Sequence, residues 1–195
     1  MQFILGSNSP RRREILGFFS LPFIQDSPDI DEESVPFEGD PGGYAMEIAR
    51  RKAEQLAPKY PDGIILTADT IVFREGKLYL KPGSLKEAHA MLTELAGKEH
   101  QVYTGVCVRK KDAVFLEAER ASVFFNELTD SQIVKYHSHF QPLDKAGGYA
   151  IQRGGGLIVK RIEGCYTNIM GLPLQTVRRL LLKAGIDLWD YLKSI

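Results

Sequence analysis

The chain has no excess charge of either sign: 25 lysines and arginines balance 25 aspartates and glutamates over 195 residues. No bulk field draws it to nucleic acid or to an anionic membrane, so any affinity for anions must be local. It has two cysteines, Cys107 and Cys165, far apart and without metal-ligand spacing, which reads as two reduced, partly buried thiols of a cytosolic protein. The four histidines offer no metal-site spacing either: His89 and His100 are isolated, and His137 and His139 fall on opposite sides of a chain turn. No Ser/His/Asp or Cys/His arrangement stands out. No run of about 18 apolar residues suggests a membrane span, and Phe3 to Leu5 is too short for a signal peptide and lacks a basic region before it. The expectation is a soluble, cytoplasmic protein with no nucleic-acid or membrane partner. Without a repeat, a low-complexity tract or a linker, 1–195 reads as a single domain, which a cleft can divide into two lobes.

What the chain does have begins at its N-terminus. Phe3-Ile4-Leu5-Gly6-Ser7-Asn8-Ser9-Pro10-Arg11-Arg12-Arg13 runs an apolar strand into small polar residues, then into a serine and a proline that open a helix. Ser9 suits the N-cap because its hydroxyl accepts a free backbone N–H, and Pro10 suits the first helical position. The unpaired N–H groups and the positive end of the helix dipole attract anions. Arginines in that first turn oppose the dipole. A solvated basic turn is one explanation; a bound polyphosphate is the other, because guanidinium groups grip phosphate oxygens in bidentate fashion. The strand-to-Ser-Pro junction favours the anion site.

Hydrophobic periodicity predicts strands over 2–6, 21–25 and 64–68, the last ending at Asp69 with Ile71-Val72-Phe73 continuing the extended pattern. Helices are expected over 10–18, 43–57 and 86–96, with Gly97 as a C-cap. Two long strands, 100–109 and 113–125, flank a turn at Lys110-Lys111-Asp112. A helix from Thr129 to His137, a glycine-rich stretch over 147–156, a strand over 157–162 and helices over 172–184 and 188–193 follow. Strict βαβ alternation is missing, so the α/β class with a mixed sheet flanked by helices fits best.

Several residues on this frame can carry chemistry. Asp69, followed by Thr70, can bind a divalent metal or take a proton from water; it can equally cap a turn. The acidic loop Asp29-Ile30-Asp31-Glu32-Glu33 is a solvated charge run, unless one carboxylate faces Asp69, in which case the pair can hold Mg²⁺. Lys52 falls on the border of a helical apolar stripe, and Lys81 precedes Pro82. Lys145 lies in Asp144-Lys145-Ala146-Gly147, before glycines that let the backbone approach a ligand but match no Walker or dinucleotide fingerprint. Gln152 is a polar strand-edge residue or a reader of a planar base edge.

Together these segments resemble the Maf family of nucleoside triphosphate pyrophosphatases, over nearly the whole chain and in the family order. The blocks are Leu5-Gly6-Ser7-Asn8-Ser9-Pro10-Arg11-Arg12, Ala49 through Lys52-Ala53, Ala68-Asp69-Thr70, Lys81-Pro82, and Leu95-Ala96-Gly97 with His100. Thr104-Gly105-Val106, Asp144-Lys145-Ala146-Gly147, Tyr149-Ala150-Ile151-Gln152 and Gly171-Leu172-Pro173-Leu174 complete the set. The resemblance implies the fold of the inosine triphosphate pyrophosphatases, with two lobes around a cleft. It also implies Mg²⁺- or Mn²⁺-dependent hydrolysis of a nucleoside triphosphate to monophosphate and pyrophosphate. In that reading Asp69 takes the proton of water near the metal, and Glu33 assists with metal or water. Arg12, Lys52 and Lys81 hold the triphosphate, with Ser7 and Ser9 lining the phosphate end.

Arg11, Thr70 and Gln152 match the branch acting on dTTP and UTP. The branch acting on 7-methyl-GTP has an aromatic, a glutamine and a glutamate at those places. A homodimer is expected from the family alone, and the family name carries an alternative role in regulating septum formation by protein contacts. The chain departs from the pattern at Asn8, at Leu80 before the Lys-Pro pair, and at Arg153, which stands where glycine commonly follows Gln152.

Overall fold

The computed structural model describes residues 2–152 and 154–193, and of Glu33 the backbone alone; Arg153 lies outside the described residues. Its strands are β1 (Phe3–Gly6), β2 (Ile24–Gln25), β3 (Ile64–Arg74), β4 (Lys77–Tyr79), β5 (Glu99–Lys110), β6 (Ala113–Phe125) and β7 (Val159–Glu163). Among the described residues they form one mixed sheet in the order β2-β1-β3-β5-β6-β7, with β4 paired to β3. β1 runs parallel to β2 and β3, and the remaining pairings are antiparallel. The helices are α1 (Pro10–Leu16), α2 (Pro41–Leu56), α3 (Leu85–Leu95), α4 (Asp130–His139), α5 (Gly155–Ile158), α6 (Tyr166–Ile169) and α7 (Leu174–Lys183).

Because strand side chains alternate between faces, the sheet supports separate cores. On one face α1 and α7 bury Ile15, Leu16, Val177, Leu180 and Leu181 against Leu5, Leu66 and Val106. Further along that face, α3 and α4 bury Leu92, Leu95 and Ile133 against Val72, Val102 and Val123. On the other face α2 lays Ala49, Ala53 and Leu56 on Ile4 and Ile65, and Tyr44 and Ile48 on Ile71. Each fully buried leucine or isoleucine contributes about 2 kcal/mol by leaving water. A cleft opens between the two clusters of the first face, with Val72 and Val102 of one and Met170 of the other in its lining.

The α/β class and the helix-flanked mixed sheet agree with expectation; several boundaries do not. β2 is limited to Ile24–Gln25, because Pro22 has no N–H to offer a ladder. The buried run to Asp69 and the extended Ile71-Val72-Phe73 are one strand, β3, which reaches Arg74 and turns through Glu75 and Gly76, both at positive φ, into β4, a strand not expected. Residues 155–158 make a helical turn before β7, and the helix expected over 188–193 is a 3₁₀ helix over Leu188–Tyr191.

Candidate active site

β1 stops pairing at Gly6, opposite Thr67. β3 therefore loses its neighbour on that side just before Asp69 and Thr70, as the chain leaves β1 through Ser7-Asn8-Ser9 for α1. The crevice beyond the carboxyl end of a parallel strand is where open α/β sheets bind ligands. Here it is a cleft of about 320 Å³. Ser7, Ser9, Arg11, Arg12, Lys52, Asp69, Thr70, Lys81 and Gln152 all line it, as does Glu32. Of the site residues expected from sequence only Glu33 is missing, since its side chain lies outside what is described.

The floor of the cleft is an ion-pair cluster. Lys52 Nζ lies 2.7 Å from Asp69 Oδ1 and 2.7 Å from Glu32 Oε1. Lys52 is 7% exposed and Asp69 6%, so neither charge is tolerable without the other. Sequence periodicity put Lys52 at the edge of the apolar stripe; the structure buries it, and the reason lies on the neighbouring strand. Gly105 sits opposite Asp69 in the β3–β5 ladder. A Cβ there would fall 2.3 Å from the backbone of Ala45 and Met46, so only glycine lets α2 come this close. Thr67 donates to the Ala49 carbonyl at 2.6 Å and draws the helix down. Lys52 then lies on the same buried face of α2 as Ala45 and Ala49 and reaches Asp69.

The wall above it is built on α1. Ser9 caps the helix, its Oγ accepting from Arg12 N at 3.5 Å, with Pro10 in the first turn. Ser7 Oγ accepts from Ser9 N and from Arg12 Nη1, both at 3.1 Å. Arg12 also donates from Nε to the Gly171 carbonyl at 2.7 Å and from Nη2 to Thr70 Oγ1 at 3.1 Å. Thr104 donates to the Asn168 carbonyl, so its oxygen accepts from Thr70 at 3.0 Å. The Thr70 hydroxyl is thereby held between Arg12 and Thr104. Burial pulls the Arg12 pKa down and the Asp69 charge pushes it back up; a guanidinium stays charged throughout.

The opposite rim is looser. Arg11 donates to Asp144 Oδ2 at 3.2 Å and to the Asp144 carbonyl at 3.4 Å. Lys145 pairs with Asp144 Oδ1. Burial raises the Asp144 pKa, but Lys145 and Arg11 outweigh it and leave the carboxyl below its ordinary value. Gln152 Nε2 donates to Glu14 Oε2 at 3.4 Å. Lys81 is exposed at the mouth, with no hydrogen-bond partner among the described residues.

Behind this rim, Tyr136 OH bonds both the N–H and the carbonyl of Ala150 at 3.1 Å, and His137 Nε2 donates to the Gly148 carbonyl at 3.0 Å. Tyr149 OH meets His100 Nε2 at 2.7 Å. Burial holds His100 down at about 3, so it is neutral.

Glu32, Glu14 and Thr104 enter the site without having been singled out. Glu32 was one of three adjacent acids, and only the path of the 32–34 turn brings it to Lys52. Thr104 stood only within a block of the family resemblance, with no role given to it, and nothing local marked Glu14. Among the described residues no three His, Cys, Asp or Glu side chains gather as a metal cage. Asp69 and Glu32 converge on one ammonium and so supply two hard oxygen donors. That set fits Mg²⁺ or Mn²⁺, ions commonly held by one or two carboxylates with waters and substrate phosphates completing the shell.

Residues 2–184 match the family model described as Maf-like protein. A dTTP/UTP pyrophosphatase of Chlamydia felis is 46% identical over 192 residues, 98% of each chain. A nucleoside triphosphate pyrophosphatase of Chlamydia muridarum is 41% identical over 192 residues, again 98% of each chain. A dTTP/UTP pyrophosphatase of Acholeplasma laidlawii is 45% identical over 174 residues, 89% of this chain and 92% of the other. With a strand, cap and arginine helix opening on a buried Asp69–Lys52 pair, and with this match running almost end to end, the chain belongs to the Maf family.

Proposed function

We propose that this protein hydrolyses dTTP and UTP to the nucleoside monophosphate and pyrophosphate. The observation that carries the reading is the buried Asp69–Lys52 pair, with Glu32 on the same ammonium, in the cleft that the N-terminus of α1 also lines. It sets carboxylate chemistry against an anion site. Relatives named dTTP/UTP pyrophosphatase in two genera support the substrate class.

In this reading the triphosphate lies along the α1 terminus, with Ser7 and Ser9 beside it and Arg12, Lys52 and Lys81 as its counter-charges. Water attacks the α-phosphorus, Asp69 takes its proton, the bond to the β-phosphate breaks, and pyrophosphate leaves. Lys52 orients Asp69 Oδ1 before substrate arrives, and cations so placed stabilise charge where it grows in the transition state. Asp69, with Glu32 or Glu33, would hold a Mg²⁺ or Mn²⁺ ion, which supplies charge neutralisation at the phosphoanhydride.

Arg11, Thr70 and Gln152 set base choice. The Gln152 amide pairs with the imide edge of uracil or thymine, while Thr70 acts through Arg12, which its hydroxyl holds. The reading includes a cytoplasmic homodimer. The test is product analysis with Mg²⁺ and a panel of dTTP, UTP, CTP, 7-methyl-GTP, ITP and dATP, with Asp69→Asn alongside. Monophosphate and pyrophosphate from dTTP and UTP, lost in the variant, are expected. Folded protein inert toward every nucleotide overturns the reading in favour of a binding role such as septum regulation.

A further inference from the structure

We propose that Glu14 is a specificity-determining positioning residue: it fixes the orientation of the Gln152 amide and so sets uracil and thymine against cytosine. The inference rests on the pyrimidine reading above and assigns it a residue outside the nucleotide's own contacts.

α1 presents Arg11 and Glu14 three residues apart, on one side of the helix. Both reach across to the 144–152 segment, Arg11 to Asp144 and Glu14 to Gln152. The second contact has a definite polarity. An ionised carboxylate only accepts hydrogen bonds, so the group of Gln152 that faces Glu14 must be the NH₂. Turning the amide over would set its carbonyl oxygen against the carboxylate, two acceptors with no proton between them. A glutamine with no such neighbour has two orientations of nearly equal energy; beside Glu14, Gln152 favours the one that turns its NH₂ to the carboxylate.

That polarity matters because an amide edge carries a donor and an acceptor side by side. For a base held in one orientation, uracil and thymine present a carbonyl beside the N3–H, an acceptor and a donor. Cytosine presents an amino group beside an unprotonated N3, the same pair reversed. One amide orientation matches the imide, and the flipped one matches cytosine. By denying Gln152 the flip, Glu14 makes cytosine leave polar groups unpaired, which is how hydrogen-bonding sites discriminate. Tyr136 and His137 anchor Ala150 and Gly148, two and four residues before Gln152.

The experiment measures kcat/KM for UTP and CTP in wild type, Glu14→Gln, Glu14→Ala, Gln152→Ala and the Glu14→Gln/Gln152→Ala double variant, with thermal unfolding of each. Glu14→Gln keeps the shape but offers either a donor or an acceptor, so it accommodates both amide orientations. The expected result is a fall of about tenfold in the UTP-to-CTP ratio in both Glu14 variants, the size of one lost base-edge discrimination. In the Gln152→Ala background the Glu14 change should no longer move the ratio. A structural role for Glu14 would lower both substrates together and leave the ratio fixed, and that result overturns the inference while UTP turnover by wild type keeps the proposed function. Wild type inert toward both UTP and dTTP overturns the proposed function, and the inference falls with it. If Glu14→Ala does not fold, the isosteric Glu14→Gln decides alone.

Discussion

The two ends of the cleft are built to different standards. At the end proposed to hold the phosphates, Lys52 and Arg12 are buried or enclosed and each is held from more than one element, Lys52 by Asp69 of β3 and Glu32, Arg12 by Ser7, Thr70 and Gly171, and Lys81 alone stands exposed at the mouth. At the end proposed to hold the base the contacts are longer and more exposed, with Arg11 3.2 Å from an Asp144 side chain that is 55% exposed. Buried charge networks are rigid and costly to disturb, whereas exposed pairs contribute about 0–1 kcal/mol and are screened by salt. Chemistry needs fixed geometry where bonds break. Selection of a base needs only a small difference between two ligands.

If that contrast is real, substitutions should grade along the cleft. Asp69→Asn removes the proposed proton acceptor and should lower kcat for dTTP by about a thousandfold, read by pyrophosphate release. A loss of less than about tenfold would place the proton elsewhere. Lys52→Met comes next: about a hundredfold in kcat/KM, from a donor lost at the reacting end. It should also lower unfolding stability by about 3 kcal/mol, because Asp69 and Glu32 are left without their shared counter-charge. Denaturant titration separates that loss from the kinetic one.

Acid sharpens the comparison from behind the base end. His100 is held at about 3 against an ordinary 6.5. Between those values the unfolded chain binds a proton that the folded protein refuses. The stability owed to neutral His100 is therefore complete above about pH 6.5 and is lost as pH falls toward about 3, by about 1.4 kcal/mol per unit within that window. Denaturant titrations at pH 7, 6, 5 and 4 should show this slope, and His100→Gln should remove it. An unchanged slope in the variant would assign the acid sensitivity to the carboxylates instead.

The phosphate end was the more legible half, for a physical reason. Ser9, Pro10 and Arg12 belong to one short segment whose capping rules act locally, and Asp69 stands out as a carboxylate within an apolar strand. Lys52 was legible as a participant but not as a buried charge. Its depth is set by Gly105, more than fifty residues away, and a single helix's apolar stripe does not contain that information. The sheet core followed from periodicity, while β4 was missed because it is only three residues long and follows β3 through a tight turn at Glu75-Gly76. The base end was least legible. Gln152 and Glu14 are 138 residues apart and meet only because the fold lays the 144–152 segment against α1. Choosing Glu32 from its acidic neighbours likewise needs the path of a 3₁₀ turn.

The smallest predicted effect is the most direct test of how loosely the base end is built. Asp144→Asn keeps the side-chain shape but removes the anion that Arg11 and Lys145 share. Arg11 retains its 3.4 Å bond to the Asp144 carbonyl, so its position is weakened rather than lost. KM for UTP should rise about threefold, within the range of one exposed ion pair, with kcat moving less than KM. The effect should shrink further as salt rises from about 0.05 to 0.5 M, because an exposed pair is screened over that range. The same salt series should leave the Lys52→Met defect nearly unchanged, since a buried pair 2.7 Å apart is screened far less than an exposed one. A salt-insensitive Asp144→Asn defect as large as that of Lys52→Met would mean that the base end is as rigidly determined as the phosphate end, and the contrast between them would fail.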